Sequence, residues 1–378
     1  MKNTRILMMA SVAVLALIAY SCMFRSSPNI EAEEAEVIEE KEDIIYVLGQ
    51  CCTTVEGENI EWTSCYWKNL ERTDVPDFPS SRFEKRGIFV SRGDVYLVGW
   101  HWSNNDSRKK QPSYWKNEQK FDLDLGVHAS GEANCIYVSD GRVYTAGNLS
   151  RNKVCYWENT IRTDITDFPA NSAGGYVTGI FVDGSDVFVC GYHKLRNGNT
   201  YACYWKNGTR TDVTQRNSMA TSIFIKNGKV YLAGMYGGDA EIHLSFGGTA
   251  CYWVDGEVVN VELNEKNKYV RSNRVDAIFV ENGTVFMAGS TSVGSCYWRD
   301  STKIRVEGYK PYVAYPRINS LFVKNGVVYT AGHINETVGN GSTDYPCYWV
   351  DSVRVDLPMP PSKYDKSPYN VAYSIFVE

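Results

Sequence analysis

Apolar residues in this chain fall in short dense runs separated by turn residues, and one arrangement of runs returns seven times. Each return reads as a short strand, an N-G-type turn, V-Y-x-A-G, a variable loop, C-Y-W-K-N and R-T-D-V. The tryptophan of that phrase stands at Trp67, Trp115, Trp157, Trp205, Trp253, Trp298 and Trp349, a period of roughly 47 residues. The most regular stretch predicts four strands: 222–225, 230–234, 251–253 and 258–261. Asn227-Gly228 and Asp255-Gly256 provide its tight turns. β-Branched and aromatic residues bounded by Asn, Asp and Gly suit strands joined by two-residue hairpins. Consecutive apolar positions, in place of strict alternation, fit sheets buried on both faces. Four short strands per repeat at this period predict an all-β fold, a β-propeller.

The two ends of the array fix its closure. Residues 44–49 match the second strand of a repeat with no first strand before them, and residues 374–378 match a first strand with nothing after it. The expectation is a seven-bladed β-propeller in which the C-terminal strand (374–378) completes the first blade, leaving no terminal edge. Polar capping repeats, expected of an open solenoid, are not evident. The chain thus divides into a signal at 1–21, a tether at 22–43 and a propeller at 44–378.

The chain carries a formal charge of −5, and its excess of negative charge sits in residues Glu31 to Asp43, a low-complexity stretch. The repeats are close to neutral, which lacks the electrostatic footprint of a nucleic-acid binder. The acidic stretch reads as a solvated tether. Before it, Lys2 and Arg5 precede an apolar run, Ile6 to Tyr20, too short and early for a confident spanning helix. This start resembles a bacterial lipoprotein signal ending at Ala19-Tyr20-Ser21-Cys22, with Ala19 where Leu is usual. The resemblance implies lipidation at Cys22 and a lipid-anchored position in the bacterial cell envelope, facing the periplasm or outside. A plain cleaved signal and an uncleaved anchor are the alternatives.

Eleven cysteines in an exported chain invite a disulfide framework. Cys65, Cys155, Cys203, Cys251, Cys296 and Cys347 instead share one repeat position, where the second blade has Ser113. Equivalent positions of different blades are poor partners, so these read as small buried apolar groups beside the tryptophan. Cys190 with Cys203, and Cys51 or Cys52 with Cys65, are the pairs that could bridge. No C-x-x-C pair supports a metal site. The regular Asp74, Asp122, Asp164, Asp212 and Asp356 read as partners of backbone donors at a strand end.

Function is to be sought where the repeats differ. Tight turns join the first to the second strand and the third to the fourth, whereas the other two connections are long and dissimilar. The two variable sets emerge on one rim, which becomes the candidate binding face. Trp62, Trp100 and Trp102 lie outside the framework, in loops of the first two blades, and form a candidate aromatic recognition cluster. A polar ring is expected at the channel mouth: Arg86, Asn134, Thr178, Thr221, Asp276, Asn319 and Tyr373. Such groups orient a ligand or carry channel water. The next position is small, from Gly87 and Cys135 through Ser374, as packing near the axis demands. His101, His128, His193, His243 and His333 all fall in the variable segments. They are spread over distant blades, so no metal site and no cofactor is expected; His101 and His333 remain ligand-binding candidates with Arg86, Asp276, Asn319 and Tyr373.

Nucleophile-elbow, zinc-protease and nucleotide-loop motifs are missing, as are the signatures of sialidase, kelch and WD40 propellers. Residues 44–378 resemble bacterial envelope propellers built on a Y-W-K-N-G phrase, a resemblance that implies fold and address but no activity. Three functions are compatible with this reading. One is a monomeric, non-catalytic binding module for a protein or glycan, and another is an envelope hydrolase or lyase using Arg86 and Asp276. The third is a rigid scaffold.

Overall fold

The computed structural model describes residues 42–54, 60–78, 87–103, 106–214, 216–237, 248–261, 273–291, 294–310, 313–338, 341–359 and 370–378. The expected signal, Cys22 and nearly all of the tether lie outside these residues. The described strands form seven antiparallel four-stranded sheets. In six of them four consecutive strands follow one another from the axis outward. In blade 1 the innermost strand is Val371–Val377, paired with Ile45–Thr54 through Ile45↔Val377 and Val47↔Ile375. The ring is therefore closed by the C-terminal strand, beginning three residues earlier than the repeat suggested. Asp43, assigned to the tether, is tied into the ring: its carboxylate accepts from Lys324 Nζ (2.7 Å) and from the Tyr329 hydroxyl. Those hydrogen bonds hold it below the usual carboxylate range.

The Y-W-K-N-G phrase has a direct physical cause. The first residue of each turn after the third strand sits at positive φ, for example Asn207 at 49° followed by Gly208 at 85°, as type I′ hairpins require. Asn and Asp tolerate that conformation. Their side chains also do a second job. In all seven blades the side-chain oxygen at this position accepts from the amide near the start of the second strand: Asn69 from Ile45, Asn117 from Val95, Asn159 from Val143, Asn207 from Val187, Asp255 from Val230, Asp300 from Val285 and Asp351 from Val328.

Seven apolar clusters, one at each blade–blade interface, make up the core. Every repeat tryptophan is fully buried in one of them. Several also clamp neighbouring blades: the Nε1 of Trp157, Trp205, Trp349 and Trp67 donates to the carbonyl of Asp124, Asp167, Glu307 and Pro358 of the preceding blade, at 2.8–3.2 Å. The last of these spans the closure seam. The ten described cysteines are all free thiols. Cys190 stands opposite Tyr204 and not Cys203, which removes that bridge, while the thiols of Cys51 and Cys65 are in hydrogen-bond contact. Burial pushes the thiols of Cys155, Cys203, Cys251 and Cys347 far up, which keeps them protonated. The repeated aspartates correct another expectation. Asp74, Asp164, Asp212 and Asp356 pair with the arginine two residues before them, at 2.6–2.9 Å, and accept from no backbone donor among the described residues.

Deleting residues 374–378 removes Ile375 and Val377, both buried at the seam, together with Phe376. That forfeits roughly 5–8 kcal/mol of apolar burial, comparable with the whole stability of an ordinary domain. The truncated chain is expected to lose its cooperative thermal transition by circular dichroism; melting identical to the intact chain would refute the closure.

Candidate functional site

The innermost strands carry a β-bulge at one shared position. The ladder skips Asn134, Thr178, Thr221, Asp276 and Asn319, and in blade 1 Tyr373. These six are the residues expected at the channel mouth; the seventh, Arg86, lies outside the described residues. A bulge leaves its residue unpaired and re-aims the side chain, here toward the axis. It also disturbs the preceding carbonyl, which needs another donor.

The neighbouring blade supplies that donor. Asn134 Nδ2 donates to Val177 O (3.0 Å), Thr178 Oγ1 to Ala220 O (2.9 Å), Thr221 Oγ1 to Val275 O (2.6 Å) and Asn319 Nδ2 to Ala372 O (2.7 Å). In each case the acceptor is the residue just before the next bulge. The polar ring is thus first a girdle stitching blade to blade. Ser374 and Ser320, at the small position, extend it by accepting from the amides of Ile88 (3.4 Å) and Ile375 (3.3 Å). Asp276 departs from the pattern. An ionised carboxylate has no proton to donate, and Asp276 instead meets Arg274 Nε at 2.5 Å.

Two residues beyond the small position, each innermost strand presents an aromatic ring. Phe89, Tyr137, Phe181, Phe224, Phe279, Phe322 and Phe376 form an unbroken circuit with neighbouring centroids 4.6–5.3 Å apart. Their interplanar angles, 45–59°, scatter about the roughly 51° turn between adjacent blades of a seven-fold ring. This apolar collar narrows the channel, and the sequence reading missed it although the aromatic recurs in every repeat.

On the loop-face side of the collar a cavity of about 840 Å³ opens, lined by the bulge and small positions of the innermost strands and by side chains of the seam. Its charge is concentrated in blades 6 and 7. In blade 7, Arg317 stands cross-strand from His333, and Asn335 cross-strand from Asp344. Directly opposed residues share a sheet face, and His333 and Asn335 are two apart, so all four project from one side. Tyr329 and Ala331 continue that side in steps of two and pack on Val47, Trp67 and Ala372 of blade 1. The cluster therefore faces the closure seam, where the Tyr373 hydroxyl donates to Gln50 Oε1 (3.0 Å).

His333 is only 9% exposed, and burial pushes its imidazole down to about 4, with Asp344 opposing the shift and Arg317 adding to it. It is neutral at physiological pH. Its Nε2 lies 3.9 Å from Asp344 Oδ1, while Nδ1 makes no hydrogen bond among the described residues. Asp344 is itself buried and accepts from Asn335 Nδ2 at 2.6 Å. Arg317 is exposed at the lip and forms no ion pair among the described residues. Arg274, Arg317, Asp344 and Asn335 were not singled out from the sequence. Arg274 and Arg317 occupy the same repeat position, two before the bulge, and that shared register was the available clue.

The remaining candidates fall elsewhere. Trp100 is 2% exposed, against an expectation of a surface aromatic, because it lies within the strand Asp94–Ser103 with Lys110 Nζ 4.1 Å above its ring. Trp102 packs edge-on against it at 4.7 Å and is 50% exposed. Trp62 is half-buried opposite Cys52. His101 is also buried in that strand: Nδ1 lies 2.8 Å from Trp102 O, and Nε2 2.8 Å from Asp122 Oδ1. His193, at the same register, approaches Asp212 at 3.2 Å. Both histidines brace their own blade. His243 lies outside the described residues, and no group of three metal-ligating side chains occurs among the described ones.

No family model and no curated protein matches this chain. Solved structures match in fold. The acylaminoacyl peptidase of Pyrococcus horikoshii is 14% identical, with a TM-score of 0.47; the match covers 85% of this chain and 51% of that one, so the chain spans about half its length. The β-propeller domain of the Trilobed protease from Pyrococcus furiosus, reported to have an open velcro topology, is 13% identical over 86% of this chain and 96% of that one, with a TM-score of 0.50. At that identity the likeness to the Pyrococcus furiosus domain shows the propeller fold alone.

Two outcomes test the site's anatomy. Thr221→Val strands the Val275 carbonyl and is expected to cost about 1–3 kcal/mol in urea unfolding, whereas Asp276→Asn restores a donor and is expected to add about 1 kcal/mol. A stabilised Thr221→Val or a destabilised Asp276→Asn would contradict the girdle. For His333 the native value is depressed, so between pH 6.5 and 4 the unfolded chain binds a proton that the native state refuses. Stability is therefore lost as pH falls through that window. Between pH 7.5 and 5 this amounts to about 2 kcal/mol. His333→Gln should flatten that part of the profile, and an unchanged slope would place the imidazole in water.

Proposed function

We propose that this protein is a non-catalytic binding module of the bacterial cell envelope, held by a lipid on Cys22, that seats its ligand in the channel mouth on the loop face. The observation that carries the reading is the buried His333 Nδ1, which has no hydrogen-bond partner among the described residues and lines the cavity beside Arg317. A buried polar atom left unsatisfied costs about 1–3 kcal/mol, a cost that a bound ligand group removes. Arg317 adds a charge at the entrance that has no ion pair among the described residues. The cavity volume lies within the range of ligand sites, and the rigid girdle beneath presets its shape at little entropic cost. A protein or glycan presenting a chain end or side group fits this geometry.

A hydrolytic site at the mouth is less well supported. Asp276 is committed to Arg274, Asp344 is held by Asn335, and an imidazole pushed down to about 4 is a weak base near neutral pH. The anchor rests on the lipoprotein-like start of the chain, and the acidic stretch would space the ring from the membrane.

The purified protein should capture a partner from arrays of envelope glycans and envelope proteins. Arg317→Ala and Asp344→Asn should each abolish that capture, and Trp102→Ala should leave it intact. Capture lost only with Trp102→Ala would move the site to the rim. In cells, labelled palmitate should mark the protein, and Cys22→Ser should remove the label; labelling that persists would sink the anchor.

A further inference from the structure

The groups at the seam also specify what kind of ligand they suit, an inference that rests on the channel mouth being the binding site. Arg317 presents a planar guanidinium whose fork matches a carboxylate or a phosphate. Around it the charges nearly balance: Arg274 is paired with Asp276, and Asp344 lies in the wall beside His333. The two arginines and two carboxylates already sum to zero, so a monoanion on Arg317 leaves the cluster at −1, whereas a dianion would leave it at −2 beside Asp344. A carboxylate is favoured over a phosphate on that ground.

The second feature is the tautomer of His333. A neutral imidazole has one N–H donor and one acceptor nitrogen. Asp344 lies on the Nε2 side, where a negative oxygen favours the proton. Nδ1 is then an acceptor, and its partner must be a donor such as a hydroxyl. Gln50 and Tyr373 across the seam and Asn335 on the near wall add further polar groups. An anionic fork beside acceptors for hydroxyls is the complement of a hydroxylated carboxylate. The cavity of about 840 Å³ is large for one sugar ring and admits the end of an oligosaccharide.

We propose that the channel mouth binds a uronate-bearing saccharide, with the sugar carboxylate on Arg317 and adjacent hydroxyls on His333 Nδ1 and Asp344. The test is calorimetric titration of the purified protein with trimers of galacturonate, glucuronate and mannuronate. Their methyl esters, matching neutral trimers and glucose 6-phosphate serve as comparators. At least one uronate trimer is expected to bind at least tenfold more tightly than its methyl ester. Arg317→Ala should reduce that affinity at least tenfold, with partial recovery in Arg317→Lys.

Equal binding of ester or neutral trimer, tighter binding of the phosphosugar, or uronate binding untouched by Arg317→Ala would each overturn the assignment. If such binding were still lost in Asp344→Asn, the channel mouth would remain the site and only the ligand class would fall. Silence from every uronate also rejects the class. The binding-site reading is then decided separately by the capture arrays, which presuppose no ligand chemistry.

Discussion

One unpaired residue in the innermost strand, described in six of the seven blades, governs much of this molecule. The bulge brings a backbone carbonyl of that strand against the second strand, so that a Cβ on Gly147, Gly191, Gly234, Gly289 or Gly332 would overlap the carbonyl of Glu132, Tyr176, Met219, Arg274 or Arg317. The glycine closing V-Y-x-A-G is required by that close approach. The same bulge frees a carbonyl at the axis, which calls for a polar donor from the blade before. A glycine in one strand and a polar residue in another, some 13 residues apart, are thus two consequences of one distortion.

Closure adds a second constraint at one place. Trp67 reaches back to Pro358, Asn319 to Ala372, and Ser320 accepts from Ile375, so the seam is sewn by the same bonds as any other interface. It differs in that the first and last described strands of the ring lie side by side within blade 1, joined by backbone hydrogen bonds alone. The charged cluster faces this seam. A ligand touching both Arg317 and the Gln50–Tyr373 pair would bridge the two ends of the ring, and its binding would stabilise closure by mass action.

The architecture was legible because it rests on local rules repeated seven times: Asn or Asp at positive φ, apolar runs, and a terminal strand lacking its partners. The candidate site was legible only in part. Asp276, Asn319 and Tyr373 were placed near the axis by register and His333 in a variable segment, but the reading could not tell a side chain spent on the next blade from one still available. That distinction depends on hydrogen bonds between residues such as Asn319 and Ala372, 53 positions apart. Trp100 and His101 misled for a complementary reason. Their segment looked like loop because it departs from the repeat, yet it continues the strand, so both residues turn into the blade. The aromatic collar was overlooked because Phe within an apolar run reads as core, and its role at the axis appears only once seven copies are arranged in a circle.

Departures from the girdle's chemistry mark the blades where a polar side chain at the axis is not spent on its neighbour. Asn and Thr at the bulge satisfy the neighbouring carbonyl directly, and four of the blades use them. Asp276 meets Arg274 in place of that bond, and His333 Nδ1 is buried with no hydrogen-bond partner among the described residues, both in adjacent blades on the sector where Arg274 and Arg317 also stand. Their position beside the cavity of about 840 Å³ suits the proposed binding site, because groups held ready for a ligand cannot also be satisfied by the protein that holds them.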